Sequence, residues 1–227
     1  MSAIPGCLIA GTQSGCGKTS VALGIMAALA RRGMRVAPFK SGPDFIDPGL
    51  HALAAARPSH NLDTWMLPEL VLRALFSRAC AGADLALAEG AMGLFDGRSP
   101  VTGEGSSADL AALLGLPVVL VIDASSLSRS LAAVVQGYTR FDPALRFAGL
   151  VLNRVGSASH AESLAATLAA FAPEIPLLGC LPRDQDLALP SRHLGLVTAQ
   201  DAPAPLTRID RLAAACERHL DLDGLLA

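Results

Sequence analysis

The stretch Gly11–Thr19, which reads Gly-Thr-Gln-Ser-Gly-Cys-Gly-Lys-Thr, decides the fold of this chain. It follows a short apolar run, Cys7–Ala10, and it leads into a long helical pattern that begins at Lys18. A glycine-rich turn between a strand and a helix lets consecutive backbone N–H groups face one phosphate, and the helix N-terminus adds positive potential. The stretch therefore predicts a phosphate-binding loop of the P-loop type.

Two polar residues of this loop have specific expected tasks. Lys18 is expected to reach the β- and γ-phosphates of a nucleotide, and the Thr19 hydroxyl is expected to ligate Mg²⁺. The strict template G-x-x-x-x-G-K-[ST] fails by one position, because it requires glycine where Thr12 stands. The residues that we predict to bind the nucleotide are Gly11, Thr12, Ser14, Gly15, Cys16, Gly17, Lys18, Thr19, Ser20 and Asn153.

The composition is that of a well-packed globular chain. Of the 227 residues, 52% are apolar and 17% are charged, and the formal net charge is −2. Such a charge gives no general attraction to nucleic acid or to an anionic membrane, so neither is expected as a partner. The 5 cysteines are widely spaced and form no CxxC pair, which favours reduced thiols in a cytoplasmic protein.

Short apolar runs alternate with longer helical patterns along the chain. The predicted strands are Cys7–Ala10, Arg35–Phe39, Leu85–Ala88, Val118–Ile122, Leu150–Leu152, Leu177–Cys180 and Leu194–Val197. The predicted helices are Lys18–Arg32, Pro68–Ala81, Ser107–Leu114, Ser128–Tyr138, Ala158–Phe171 and Leu206–Leu220. This alternation predicts a three-layer α/β fold in which helices cover both faces of a mostly parallel sheet.

A short stretch near the end of the chain resembles a linker. It reads Asp-Ala-Pro-Ala-Pro over Asp201–Pro205, and a final helical pattern follows it. We therefore expect a P-loop domain over residues 1–200, and a linker with a terminal helix over residues 201–227.

Carboxylates at two predicted strand ends are candidates for a metal site. The run Asp84–Glu89 delivers Glu89 at its C-terminal end, where side chains of an open α/β sheet point into the ligand crevice. The constrained loop after the second predicted strand adds Lys40, Asp44 and Asp47 at the same edge. We expect Lys40 to neutralise a transferring phosphoryl group, and Asp44 and Asp47 to join Thr19 and Glu89 around Mg²⁺.

Plainer roles compete with some of these assignments. Asp44 and Asp47 could instead cap turns of the loop. His51 is expected to be structural or a peripheral substrate contact. Asp123, at the end of another predicted strand, is equally well explained as a surface carboxylate.

The base of the nucleotide can be predicted from one strand end. Asn153–Gly156 reads Asn-Arg-Val-Gly, at the place where GTPases carry N-K-x-D. The carboxylate that would recognise guanine is missing, so we expect ATP.

Four segments together resemble the synthetase domain of the cobyrinic or hydrogenobyrinic acid a,c-diamide synthases. They are Pro38–His51, Glu89–Gly97, Leu150–Val155 and Pro190–Gly195. The pattern Glu-Gly-x-Met-Gly-Leu-Phe-Asp-Gly of the second segment and the pattern Pro-Ser-Arg-His-Leu-Gly-Leu that begins in the fourth are specific to that family. The G-T-x-S-x-x-G-K-T form of the loop is also similar to that of dethiobiotin synthetase.

The resemblance implies a ligase of cobalamin biosynthesis that uses ATP and Mg²⁺. Such an enzyme amidates the a and c carboxylates of a corrinoid through an acyl phosphate, with glutamine or ammonia as nitrogen donor. The resemblance also implies that Asp96 acts near the substrate carboxylate or the incoming ammonia. The predicted catalytic residues are Lys18, Lys40, Asp44, Asp47 and Asp96.

The implied partner is a class I glutamine amidotransferase domain, which needs a nucleophilic cysteine with a histidine as base. The sequence lacks such an arrangement, because Cys16 belongs to the P-loop and Cys180 precedes Leu-Pro. We expect the chain to be a fragment of a longer protein or one half of a split enzyme, and a homodimer stays open.

Two other classes of protein compete with this interpretation. A dethiobiotin synthetase fits the loop but not the segments Glu89–Gly97 and Pro190–Gly195. A partitioning-type ATPase switch would need a signature lysine where this chain has Gln13. The sequence does not distinguish a cobalt-containing, a metal-free or a nickel tetrapyrrole as substrate.

Overall fold

One parallel sheet with helices on both faces forms the body of the molecule. A computed structural model describes residues 4–184 and 204–226, and within these ranges it contains seven strands and eight helices. The strands are β1 (Gly6–Gly11), β2 (Val36–Ser41), β3 (His60–Leu62), β4 (Leu85–Glu89), β5 (Val118–Asp123), β6 (Phe147–Val155) and β7 (Leu177–Pro182). The helices are α1 (Lys18–Arg31), α2 (Asp47–Ala55), α3 (Glu69–Ala79), α4 (Ser107–Leu114), α5 (Ser130–Phe141), α6 (Ala158–Phe171), α7 (Ala204–His219) and α8 (Leu222–Leu226).

The strand order places the loop after β1 at the centre of the sheet. The order is β3-β2-β4-β1-β5-β6-β7, and every pair of neighbouring strands is parallel. From β1 the chain crosses to one side for β2, β3 and β4, and it reaches the other side with β5. Ligands of open α/β sheets bind outside the carboxyl ends of the strands at such a reversal. The predicted α/β fold is confirmed.

Two apolar layers hold the helices to the sheet. On β1, Ile9 packs into the layer that contains α1 and α7, whereas Leu8 and Ala10 pack into the layer on the opposite face. Successive side chains of a strand point to opposite faces, so a strand buried on both faces is apolar throughout. This explains why the predicted strands show no alternation with polar residues.

The terminal helix α7 packs directly against α1. A Cβ atom on Gly24 of α1 would lie 2.4 Å from Cys216 Sγ and 2.9 Å from Leu212 O, so only glycine permits this approach. At the end of α1, Arg32 pairs with Glu217 at 2.7 Å and with Asp223 at 2.6 Å. Residues that follow the predicted linker thus share a core with the P-loop helix.

Most of the predicted elements agree with the structure. The predicted bounds of α4 and α6 are confirmed at both ends, and so is the predicted start of α1. The predicted end of α1 and both predicted ends of α3, α5 and α7 differ by one to three residues. The predicted strand Leu194–Val197 lies outside the described residues. No helix among the described residues has both the length and the apolar character that a membrane span requires.

Two elements were missed by the sequence analysis, α2 and β3. The segment around Pro48 was interpreted as a loop, but Pro48 lies in the first turn of α2, where its missing N–H group has no helical partner to lose. Strand β3 has only 3 residues, two of them polar, and it lies at the edge of the sheet. Both elements were missed because α2 contains a proline typical of turns and β3 is too short to show an apolar run.

Candidate active site

The loop between β1 and α1 has the geometry of a phosphate-binding loop. Gly15 has φ of 77° and Gly17 has φ of 103°, and both values lie in the left-handed region that favours glycine. A Cβ atom on Gly17 would lie 2.0 Å from Asn153 Nδ2. The third glycine of the motif is therefore required by its backbone conformation and by its neighbour.

Side chains from distant parts of the sequence hold this loop in place. Asn153 Nδ2, at the carboxyl end of β6, donates a hydrogen bond to Cys16 O at 2.8 Å. The Tyr138 hydroxyl of α5 donates to Thr12 O, and Phe95 stacks on the Tyr138 ring with a centroid distance of 5.6 Å. Asn153, which we predicted to contact the nucleotide, thus lies at the loop and bonds to its backbone.

Lys18 and Thr19 begin α1 on the inner side of the loop. Lys18 is 8% exposed, and its Nζ donates to Gln13 O at 3.1 Å, so the ammonium group lies over its own loop. The Thr19 hydroxyl donates to Glu89 Oε1 at 2.6 Å. The P-loop is thereby joined to the carboxyl end of β4.

A buried charge cluster lies behind Thr19, and it consists of Lys40, Asp47, His51 and Glu89. All four residues are at most 3% exposed. Lys40 Nζ lies 2.8 Å from Glu89 Oε1 and 2.6 Å from Asp47 Oδ2. His51 Nε2 lies 2.6 Å from Glu89 Oε2. Three elements supply this cluster, because Lys40 lies on β2, Glu89 ends β4, and α2 carries the other two residues.

The ionisation of the cluster follows from its contacts. Burial raises the pKa of Glu89, but the hydrogen bond from His51 and the charge of Lys40 outweigh it and hold that pKa well below its ordinary value. Burial and the charge of Glu89 raise the pKa of Asp47 above its ordinary value. Burial lowers the pKa of Lys40, yet the two carboxylates outweigh it and raise that pKa overall. The charges of Lys40 and Glu89 therefore stabilise each other.

Asp44 lies at the start of α2 and stabilises the backbone there. Its Oδ1 accepts hydrogen bonds from the N–H groups of Ile46 at 2.8 Å and Asp47 at 3.0 Å. Asn61 of β3 donates to the carbonyl of Asp44 at 2.8 Å. The turn-capping role considered from the sequence is thus observed for one oxygen of Asp44, and a role at the metal stays a prediction.

Asp96 lies on the turn that follows β4. Its Oδ2 accepts a hydrogen bond from the N–H group of Gly93 at 2.8 Å, and the side chain is exposed. The N–H group of Leu94 donates to Gly11 O at 2.8 Å, so this turn is attached to the first residue of the P-loop. Asp96 therefore flanks the loop and does not belong to the buried charge cluster.

Asp123 has different partners. Its carboxylate pairs with Arg154 and accepts a hydrogen bond from the N–H group of Ser125 at 3.0 Å. These partners, Arg154 and Ser125, are what a surface carboxylate at a strand end would have, as weighed from the sequence.

His51 takes the first of the two positions expected from the sequence, a structural one. It is fully buried and bonded to Glu89. Asp47 and His51 are four residues apart on α2, a spacing that places both side chains on one helix face. That spacing was a usable signal, but it has meaning only if the segment is helical.

The oxygen atoms of the cluster suit a hard divalent cation. Within residues 4–184 and 204–226, no group of three or more His, Cys, Asp or Glu side chains is arranged to enclose a metal ion. Mg²⁺ at a nucleotide is held by one or two carboxylates together with phosphates and water, so an all-protein cage is not required. The Thr19 hydroxyl and the carboxylates of Asp47 and Glu89 fit that pattern.

Comparison with known proteins agrees with the geometry. Residues 7–197 match the family described as the CobQ/CobB/MinD/ParA nucleotide binding domain. Chloroplast FtsY from Physcomitrella patens aligns with a TM-score of 0.56 at 15% sequence identity, covering 93% of this chain and 66% of that chain. At this identity the similarity concerns the fold alone, and it confirms the P-loop class of α/β fold.

Curated relatives match almost the whole chain. The cobyrinate a,c-diamide synthase of Syntrophotalea carbinolica is 50% identical over 222 residues, which cover 98% of this chain and 48% of that protein. The hydrogenobyrinate a,c-diamide synthase of Mycobacterium tuberculosis is 47% identical over 224 residues, which cover 96% of this chain and 49% of that protein. The chain thus spans about half the length of these relatives.

The resemblance found in the sequence is therefore confirmed. The matched range begins in β1 and contains the P-loop and every residue of the buried charge cluster. The chain belongs to the CobQ/CobB/MinD/ParA family of nucleotide-binding domains.

Proposed function

We propose that this chain is the ATP-dependent synthetase half of a cobyrinate or hydrogenobyrinate a,c-diamide synthase. It would convert the a and c carboxylates of the corrinoid into amides in cobalamin biosynthesis. The observation that carries the proposal is the contact of the P-loop hydroxyl of Thr19 with Glu89, to which Lys40 is also bonded. This contact supports the proposal because it joins a phosphate-binding loop to a buried carboxylate that is paired with a lysine.

Nucleotide binding is assigned to the loop and to Lys18. The backbone N–H groups from Gly11 to Thr19 would surround the β- and γ-phosphates, and the ammonium group of Lys18 would move from Gln13 O to the phosphates. Thr19, Asp47 and Glu89 would hold Mg²⁺, with Asp44 reaching the same ion through its side chain or a water molecule. The bound Mg²⁺ would neutralise phosphate charge.

The chemistry follows from the weakness of a carboxylate as an electrophile. An oxygen of the substrate carboxylate attacks the γ-phosphorus, the bond from that phosphorus to ADP breaks, and an acyl phosphate forms. Ammonia then attacks the carbonyl carbon, inorganic phosphate leaves, and the nitrogen loses a proton to give the amide. Lys40 would stabilise the charge on the transferring phosphoryl group, since preorganised charges contribute strongly in a site without water.

Asp96 is assigned to the substrate side of the proposed site. Asp96 lies on the exposed turn attached to the P-loop, where its carboxylate would orient the substrate or accept a proton from ammonia.

Ammonia would come from a glutamine amidotransferase half, since the relatives named as diamide synthases are about twice as long as this chain. Those names also favour a corrinoid over the substrates of dethiobiotin synthetase or a partitioning ATPase switch.

An ADP-release assay tests the proposal. Purified protein with ATP, Mg²⁺ and ammonium should release ADP faster when cobyrinic or hydrogenobyrinic acid is added, and mass spectrometry should detect the diamide. Asp47→Asn should lose most of this stimulated rate, whereas the distant surface variant Arg73→Gln should keep it. Unstimulated ADP release by protein that binds ATP would refute the amidation and leave the nucleotide site intact.

A further inference from the structure

We infer that His51 is a positioning residue that fixes the orientation of the Glu89 carboxylate and thereby prepares the metal side of the site. The inference rests on the proposed function for the presence of a metal at Glu89. The hydrogen-bond partners of His51 are Ser59 and Glu89. His51 is 0% exposed, and so is Glu89.

The hydrogen-bond roles of His51 are determined by its partners. A carboxylate oxygen of ionised Glu89 only accepts, so the Nε2 atom 2.6 Å away must carry the hydrogen. In the neutral ring, Nδ1 then accepts from the Ser59 hydroxyl, which lies 3.3 Å away. Ser59 lies between α2 and β3, so the ring is held from both ends.

This bond gives the two oxygens of Glu89 separate tasks. Oε2 is occupied by His51, while Oε1 meets the Thr19 hydroxyl at 2.6 Å and Lys40 Nζ at 2.8 Å. Oε1 is therefore the oxygen presented to the P-loop and to an ion beside Thr19. Without the bond from His51, the Glu89 carboxylate could rotate about its last side-chain torsion. Loss of the bond would also leave the buried Oε2 atom without a hydrogen-bond donor.

Helix α2 carries both His51 and Asp47, so the helix that orients Glu89 also contacts Lys40. Asp47, one helical turn before His51, lies 2.6 Å from Lys40 Nζ. One face of α2 thus contacts both Lys40 of β2 and Glu89 of β4. Residues that hydrogen-bond to a metal ligand change metal affinity about 10–100-fold when they are replaced.

Metal affinity in a nucleotide complex tests the role of His51. Mn²⁺ replaces Mg²⁺ so that electron paramagnetic resonance can measure free and bound metal, with a non-hydrolysable ATP analogue at saturation. His51→Leu should weaken Mn²⁺ binding about 10–100-fold. His51→Gln, which keeps an N–H donor at a similar reach, should restore most of the affinity, and the control His219→Leu on α7 should leave it unchanged.

Several results would overturn the inference. Equal loss of Mn²⁺ affinity in His51→Leu and His51→Gln would indicate a structural role only, and so would unchanged affinity in both. If His51→Leu does not fold, Ser59→Ala decides, because it should weaken Mn²⁺ binding in the same direction as His51→Leu but less. Absent Mn²⁺ binding by the unaltered protein would overturn this inference together with the metal site, whereas failed corrinoid amidation with normal Mn²⁺ binding would overturn only the substrate.

Discussion

Lys40 and Glu89 are register partners on the neighbouring strands β2 and β4, and Lys40 Nζ lies 2.8 Å from Glu89 Oε1. Parallel pairing thus delivers a cation and an anion to the same edge of the sheet, beside the P-loop. Because Lys40 also contacts Asp47, a single ammonium group lies between two buried carboxylates. The opposite charges of these three groups therefore offset one another in the folded protein.

The buried position of Lys40 predicts a large loss of stability when its charge is removed. Lys40→Met leaves Asp47 and Glu89 without their cation and should reduce the free energy of unfolding by about 3–5 kcal/mol. Arg73→Met breaks an exposed ion pair with Glu69 and should reduce it by about 0–1 kcal/mol. Urea denaturation compares the two variants, and similar small losses in both would contradict the assigned burial.

Two glycines of the P-loop provide a matched test of its geometry. Both have positive φ, so alanine at either position should cost about 1–2 kcal/mol of backbone strain. Gly17→Ala should cost more, because its Cβ would lie 2.0 Å from Asn153 Nδ2, whereas nothing lies within 4 Å of a Cβ on Gly15. Chemical denaturation of both variants measures the difference, and a greater loss for Gly15→Ala would refute the contact with Asn153.

Two helical glycines should respond to alanine in opposite directions. Gly137→Ala on α5 meets no atom within 4 Å and should stabilise the protein by about 0.5–1 kcal/mol, because glycine disfavours the helix interior. Gly24→Ala on α1 meets Cys216 and Leu212 of α7 and should destabilise it by about 1–3 kcal/mol. Thermal unfolding should show a higher melting temperature for Gly137→Ala and a lower one for Gly24→Ala than for the unaltered protein. Stabilisation by Gly24→Ala would show that α7 does not pack closely on α1.

Burial of two thiols predicts both slow labelling and sensitivity to alkali. Burial raises the pKa of Cys7 from 9.0 to about 12, and burial with the charge of Glu217 raises the pKa of Cys216 to about 12. Unfolded thiols ionise near pH 9.0 while the folded thiols stay protonated, so stability should fall as pH rises from 9 towards 12. Labelling by a disulfide reagent at pH 8 should be slow for both thiols until urea unfolds the chain. Rapid labelling of the native protein would contradict their burial.

The sequence by itself determined the P-loop, the strand–helix alternation and the strand end that delivers Glu89. Each of these is encoded locally, because glycine conformations, apolar runs and helical periodicity act over a few neighbouring residues. The helices Ser107–Leu114 and Ala158–Phe171 could be bounded for the same reason. The resemblance of the motifs then led to the family.

Only the tertiary structure decided which groups meet. The Thr12 and Cys16 carbonyls are held by Tyr138 and Asn153, residues more than a hundred positions later in the chain. The bond from His51 to Glu89 requires α2, whose start is fixed by Asp44 and obscured in the sequence by proline signals. Such contacts depend on strand register and helix packing, which assemble distant residues and leave no pattern in any one stretch of the chain.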